Sequence, residues 1–196
     1  MPLIQIANLL IDAVAFLIVL AIIMRFLLQA SGADYYNPLS QSIVKISNPF
    51  LQPLYGLIPR FKQLDLAALI VAVGINMVVI YLKAALLGFN VGSVLLALNW
   101  AVIGILSFIL YTYLISIIIM VVLSWVAPGN GSPVVNLLRQ MVEPVMRPAR
   151  KIVPDLGGLD LSPVVVLLAL QVLLLLLQLF LFAPDPRVLS NIVIGL

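Results

Sequence analysis

Long apolar runs alternate with short, polar, proline-punctuated stretches along this chain. The opening run, residues 3–28, is interrupted by Asn8, Asp12 and Arg25. About 26 helical residues at roughly 1.5 Å each exceed a hydrocarbon core of ~30 Å, which predicts a tilted transmembrane helix. Runs over residues 66–88, 100–127 and 161–182 predict three more. Asp65 stands where the second span needs an N-cap, and Ser162-Pro163 reads as an N-cap with proline at the first helical position of the fourth. Residues 88–99 carry the glycines, asparagines and serine of a turn. Trp100 and Trp125, about 37 Å apart along a helix, predict one tryptophan at each membrane interface. A cleaved signal would open with a basic n-region, and the first positive side chain here is Arg25, so the first span reads as retained. The proline-broken tail from residue 183, ending in residues 188–196, predicts a segment along the interface.

The two polar stretches are copies of one another. Pro38, Pro49, Pro53, Pro59 and Asp65 recur without a gap as Pro133, Pro144, Pro148, Pro154 and Asp160, at an offset of 95 (133 minus 38). Such ungapped agreement reads as a duplication. One repeat covers residues 1–92 and the other residues 98–187. The fold class expected is therefore an all-α membrane protein with four transmembrane helices in two tandem repeats, each helix–amphipathic loop–helix. Two spans per repeat make the repeats parallel, unlike the inverted pairs of many transporters.

Composition agrees: 64% of residues are hydrophobic and 9% charged, against roughly 45–50% and about 25% in soluble domains. Seven of the ten basic residues, Lys45, Arg60, Lys62, Arg139, Arg147, Arg150 and Lys151, fall in the two duplicated loops, and none lies between them after Lys83. By the positive-inside rule both loops are expected on the cytoplasmic side of the membrane, with both termini outward. The chain has no cysteine and no histidine, which excludes thiol chemistry and histidine-based nucleophilic, proton-relay or metal sites. No cofactor or metal is expected.

Within residues 133–145 the apolar positions Val134, Leu137, Leu138, Met141, Val142 and Val145 fall on one helical face. A basic amphipathic helix beside a span lies flat in the interface, cations toward anionic headgroups. A re-entrant hairpin is the other reading of the proline-rich half, at odds with Arg147, Arg150 and Lys151 in the second copy. The paired prolines predict a kink or break near Asn48 and near Glu143.

The second copy, through Glu143, Pro144, Arg147, Pro148, Pro154, Gly157, Gly158, Asp160, Ser162 and Pro163, resembles the YggT family, called YlmG in Gram-positive bacteria, with plastid relatives. The first copy departs: Asn48 replaces the glutamate, Gln52 the first arginine, and Lys62-Gln63 the double glycine. The resemblance spans nearly the whole chain. It implies a four-span, two-repeat inner-membrane protein without known enzymatic activity. Relatives are associated with osmotic and potassium homeostasis, placement of division proteins, and plastid cytochrome assembly and nucleoid distribution. If the motif engages a partner or lipid, the second repeat is the expected site.

The intramembrane polar residues are Asp12, Arg25, Asn76, Lys83, Gln171 and Gln178. A carboxylate inside a span is costly and usually partnered. Asp12 lies about 13 Å along its helix from Leu3 and Lys83 about 7 Å from Gly88, which points either to an Asp12–Lys83 pair or to a snorkelling lysine beside a wetted or protonated carboxylate. Their counterparts, Ser107 and Gln178, are neutral. Asn76 and Lys83, like Gln171 and Gln178, are seven apart on one face, as helix-to-helix glue or as the lining of a water path. Arg25 is expected to reach headgroups. Asp65 and Asp160 read as helix caps, and Gly157-Gly158 as a tight turn. The Arg147, Arg150 and Lys151 cluster fits anionic lipid or an acidic partner; nucleic acid is disfavoured, since no interleaved aromatics accompany it.

Two functions follow. One is a non-enzymatic membrane scaffold or assembly factor acting on lipid headgroups, copies of itself and membrane-protein partners. The other is an oligomeric ion channel or transporter component. An enzyme is disfavoured: no two of the seven carboxylates form an obvious catalytic pair.

Overall fold

The computed structural model describes residues 2–56, 64–126, 131–153, 160–181 and 193–195. Six α-helices are present among them: α1 (Pro2–Ala30), α2 (Pro38–Leu51), α3 (Leu66–Leu87), α4 (Val94–Val126), α5 (Pro133–Ile152) and α6 (Ser162–Leu179). Helices α1, α3, α4 and α6 are each long and apolar enough to cross a membrane. They pack in the order α1, α3, α4, α6, so that α3 joins the two repeats and α6 lies at one side.

The helix ends follow local chemistry. Asn37 Oδ1 accepts from Leu39 N to open α2 ahead of Pro38. Asp65 Oδ1 accepts from Ala68 N at 3.2 Å to open α3. Gly88, at φ 68°, ends α3 in the left-handed region while Phe89 N reaches Ala84 O at 2.8 Å.

Several expectations are corrected. Helix α4 starts at Val94, inside the expected turn, because Ser93 Oγ accepts from Leu96 N and caps it there. Trp100 consequently lies inside the bundle, fully buried, with Phe89 folded back onto it at a ring separation of 6.4 Å. Only Trp125 is exposed as an interface residue would be. No break occurs at Glu143: α5 runs through Pro144 and Pro148. Its apolar face is clamped against the bundle, with Met141, Val142 and Met146 fully buried, at about 1.5–3 kcal/mol per buried side chain. In the first copy the α-helix does end soon after Asn48, at Leu51, and passes into a 3-10 turn, Gln52–Leu54. Ser162 is the first residue of α6 rather than its N-cap; Leu161 holds that place with no side-chain cap bond.

Helices α2 and α5 pack side by side at one end of the bundle. Asn37 Nδ2 donates to Pro133 O at 2.7 Å, and Asp34 N donates to Gln140 Oε1 at 2.7 Å. The amphipathic face of α5 therefore covers protein, not lipid alone.

Candidate functional site

Two polar systems lie among the spans, and a third joins each repeat's surface helix to its second span. Lys83 Nζ of α3 donates to Asp12 Oδ1 of α1 at 2.6 Å. The lysine side chain is 4% exposed and the carboxylate 48%. The structure thus brings these two together across the first repeat. One turn before Asp12, Asn8 Oδ1 is buried with no hydrogen-bond partner among the described residues.

Asn76, also on α3, turns toward α4 instead. It is fully buried and its Nδ2 lies 3.3 Å from Ala101 O. The same amide pairs with the backbone of the tail, accepting from Ile194 N at 3.2 Å and donating to Ile194 O at 3.4 Å. Residues 193–195 therefore enter the bundle, where an interface segment was expected, and Val193 and Ile194 are buried there. Gly104 makes the room: a Cβ there would stand 2.6 Å from Val193 Cγ1 and 2.7 Å from Ile194 O. Their repeat counterparts behave oppositely, since Gln171 and Gln178 on α6 are exposed on the outside of the bundle. Asn76, Lys83, Gln171 and Gln178 therefore do not converge on one lumen in a single chain.

At the surface-helix end, Arg25 does not extend to headgroups. Its side chain is 12% exposed and its Nη1 donates to Ser47 Oγ at 3.1 Å and Asn48 Oδ1 at 2.6 Å, both on α2. Its guanidinium also lies over the Tyr55 ring and 3.9 Å from Asp65 Oδ2, which Tyr55 bonds through its hydroxyl. One cation thus ties α1, α2 and the start of α3 together beside a cavity of about 400 Å³ that Gln29, Tyr35 and Ser40 also line. In the second repeat Met120 stands in place of Arg25, and the cation comes from Arg150, the counterpart of Tyr55. Arg150 lies 2.9 Å from Glu143 and 3.6 Å from Asp160. Hydrogen bonds from the Ser162 hydroxyl and backbone N–H, helped by Arg150, hold the Asp160 carboxyl below the usual carboxylate range.

Of the remaining motif residues, Arg147 is 70% exposed and sits 3.7 Å from Glu143. Lys151, Pro144 and Pro148 are exposed, and Pro163 is the second residue of α6. Pro154, Gly157 and Gly158 lie outside the described residues, as do Arg60 and Lys62. Among the described residues no three carboxylates converge as a metal site requires. Sequence reasoning passed over Tyr55, Ser47 and the Ile194 contact. The Tyr55–Arg150 correspondence was in the aligned repeats; nothing marked the tail.

These features define a multi-pass, all-α membrane protein made of two parallel helix–surface helix–helix repeats. The CCB3/YggT family model matches residues 1–86 and 99–181, one match per repeat. The chain belongs to the CCB3/YggT family. It is 42% identical over 158 residues to an uncharacterized protein of Pseudomonas aeruginosa, covering 80% of each chain. It is 33% identical over 171 residues to the uncharacterized protein YggT of Escherichia coli K12, covering 84% of this chain and 85% of that one. A Vibrio alginolyticus protein encoded in the proC 3′ region is 38% identical over 161 residues, covering 79% and 84%. No solved structure matches the chain.

Proposed function

We propose that this protein is a non-enzymatic scaffold or assembly factor of the bacterial inner membrane, with α2 and α5 on the cytoplasmic side. Family resemblance links this role to osmotic and potassium homeostasis and to organising membrane complexes or division proteins. The observation that carries it is the orientation of α5. Leu137, Met141, Val142 and Met146 are buried against the bundle, so Arg139, Arg147 and Lys151 project outward from a helix that is itself held in place. A fixed row of cations suits anionic headgroups or an acidic partner surface. Affinity capture in mild detergent tests this by comparing the native protein with Arg139→Gln/Arg147→Gln/Lys151→Gln. Partners and anionic lipid that co-purify with the native chain and are lost from the variant support the reading; equal recovery from both overturns it.

An oligomeric channel or transporter component is the second reading, favoured by the Asp12–Lys83 contact inside the spans. Potassium flux in proteoliposomes that Lys83→Leu abolishes would replace the scaffold with it.

A further inference from the structure

We propose that the cavity beside Arg25 is a binding site for a phosphate group, carried by a lipid headgroup or free in solution. The site is separate from the exposed cations of α5 and stands whether or not those recruit anything.

The contacts that hold Arg25 leave part of its guanidinium over. Nη1 donates to Ser47 and Asn48, while Nε stands 3.9 Å from Asp65 Oδ2, beyond hydrogen-bonding distance. Asp65 is itself engaged, by Ala68 N at 3.2 Å and by the Tyr55 hydroxyl at 2.5 Å. Nη2 has no hydrogen-bond partner among the described residues and is not sealed in protein, so it opens onto the cavity of about 400 Å³ that Arg25 lines. A side chain only 12% exposed meets little bulk water there, and a guanidinium short of acceptors is costly.

Gln29, one turn further along α1, and Tyr35 line the same cavity. Among the described residues neither the Gln29 amide nor the Tyr35 hydroxyl has a hydrogen-bond partner. Three side chains with donors to spare therefore border one space. No acidic side chain lines it among the described residues, and Asp34, beside Tyr35 in sequence, turns its Oδ1 to Tyr36 N at 2.9 Å. Phosphate suits such a set, because its oxygens accept from a guanidinium in pairs and leave acceptors for the neutral donors around it.

The duplication supplies an internal control. The second repeat builds the same helix–surface helix–helix unit with Met120 for Arg25 and a buried Val135 for Ser40. The fold therefore does not need this polar lining. Depth agrees with the assignment. The 29 residues of α1, about 43 Å, overhang a ~30 Å hydrocarbon core by about 7 Å at each end when centred. Arg25 lies about 7.5 Å from the Ala30 end, at the level of lipid phosphates.

Delipidated protein in nonionic detergent is titrated with phosphatidylglycerol, with diacylglycerol of the same chains and with inorganic phosphate, and thermal unfolding is followed. Phosphatidylglycerol should raise the melting temperature and diacylglycerol should not. Gln29→Leu/Tyr35→Phe leaves the Ser47, Asn48 and Asp65 contacts of Arg25 in place, and should shift the protection to at least about tenfold higher ligand concentration. Arg139→Gln/Arg147→Gln/Lys151→Gln should keep it. Protection by phosphatidylglycerol puts the phosphate on a lipid and protection by inorganic phosphate alone makes it a free anion; either supports the site when Gln29→Leu/Tyr35→Phe weakens it. No protection by either, equal protection by diacylglycerol, protection unchanged in Gln29→Leu/Tyr35→Phe, or protection lost with the α5 cations overturns it.

Discussion

Arg150 occupies the place in the second repeat that Tyr55 occupies in the first, and each directs its side chain at the aspartate before the following span, Asp160 or Asp65. The two knots differ in burial. Asp65 is 4% exposed and its cation, Arg25, comes from the preceding span; Asp160 is 53% exposed and its cation comes from the surface helix. Burial decides their worth, since removing one partner of a buried pair strands the other, whereas exposed pairs contribute little.

Arg25→Met, which installs the residue found at the equivalent position in the second repeat, should therefore destabilise the protein by about 2–4 kcal/mol. Arg150→Gln should cost no more than about 1 kcal/mol. Thermal unfolding in detergent reads both, and equal shifts would sink the distinction.

Lys83 and Asp12 should show coupling. Asp12→Ser strands a buried ammonium and should cost about 3–5 kcal/mol, while Lys83→Gln leaves a half-exposed carboxylate and should cost less. Together they install the residues at the equivalent positions of the second repeat, Ser107 and Gln178. The double variant should fall short of the summed losses by about 1–3 kcal/mol in a double-mutant cycle. Strict additivity would show that the contact contributes nothing.

The buried tail makes an accessibility prediction. Val193→Cys should resist a membrane-impermeant maleimide in the otherwise native chain. Adding Gly104→Leu fills the space that Val193 and Ile194 occupy, and labelling should then rise. Equal labelling of both forms would place the tail elsewhere.

Asp160 sets a modest acid dependence. Its folded-state pKa lies below the ordinary 3.8, so its contribution is fully present above that value and is lost as pH falls through the folded pKa. Asp160→Asn should lower the melting temperature slightly near neutral pH, and the gap from the native protein should close at the acid end of the range. A gap unchanged down to about pH 3 would rule out this contact as its origin.

Much of the architecture was legible in order along the chain. Apolar length marks a span whatever surrounds it, and the shared offset of four prolines and one aspartate marks the duplication. The Asp12 and Lys83 depths could be compared from residue numbers alone. Arg25 misled because a cation near a span's end has two outlets, headgroups or protein. Only the placement of Ser47, Asn48 and Asp65 beside it selects the second. Prolines 144 and 148 misled because the cost of a missing donor is local, while the packing of Met141 and Met146 that keeps α5 unbroken is not.

What the sequence determined by itself was the number of spans, their pairing into parallel repeats and the polar residues within them. What only the tertiary structure decided was which member of each equivalent pair goes inside. Asn76 is enclosed because α4, through Ala101 and the gap at Gly104, and the backbone of Ile194 close over that side of α3, whereas Gln171 stands exposed on α6.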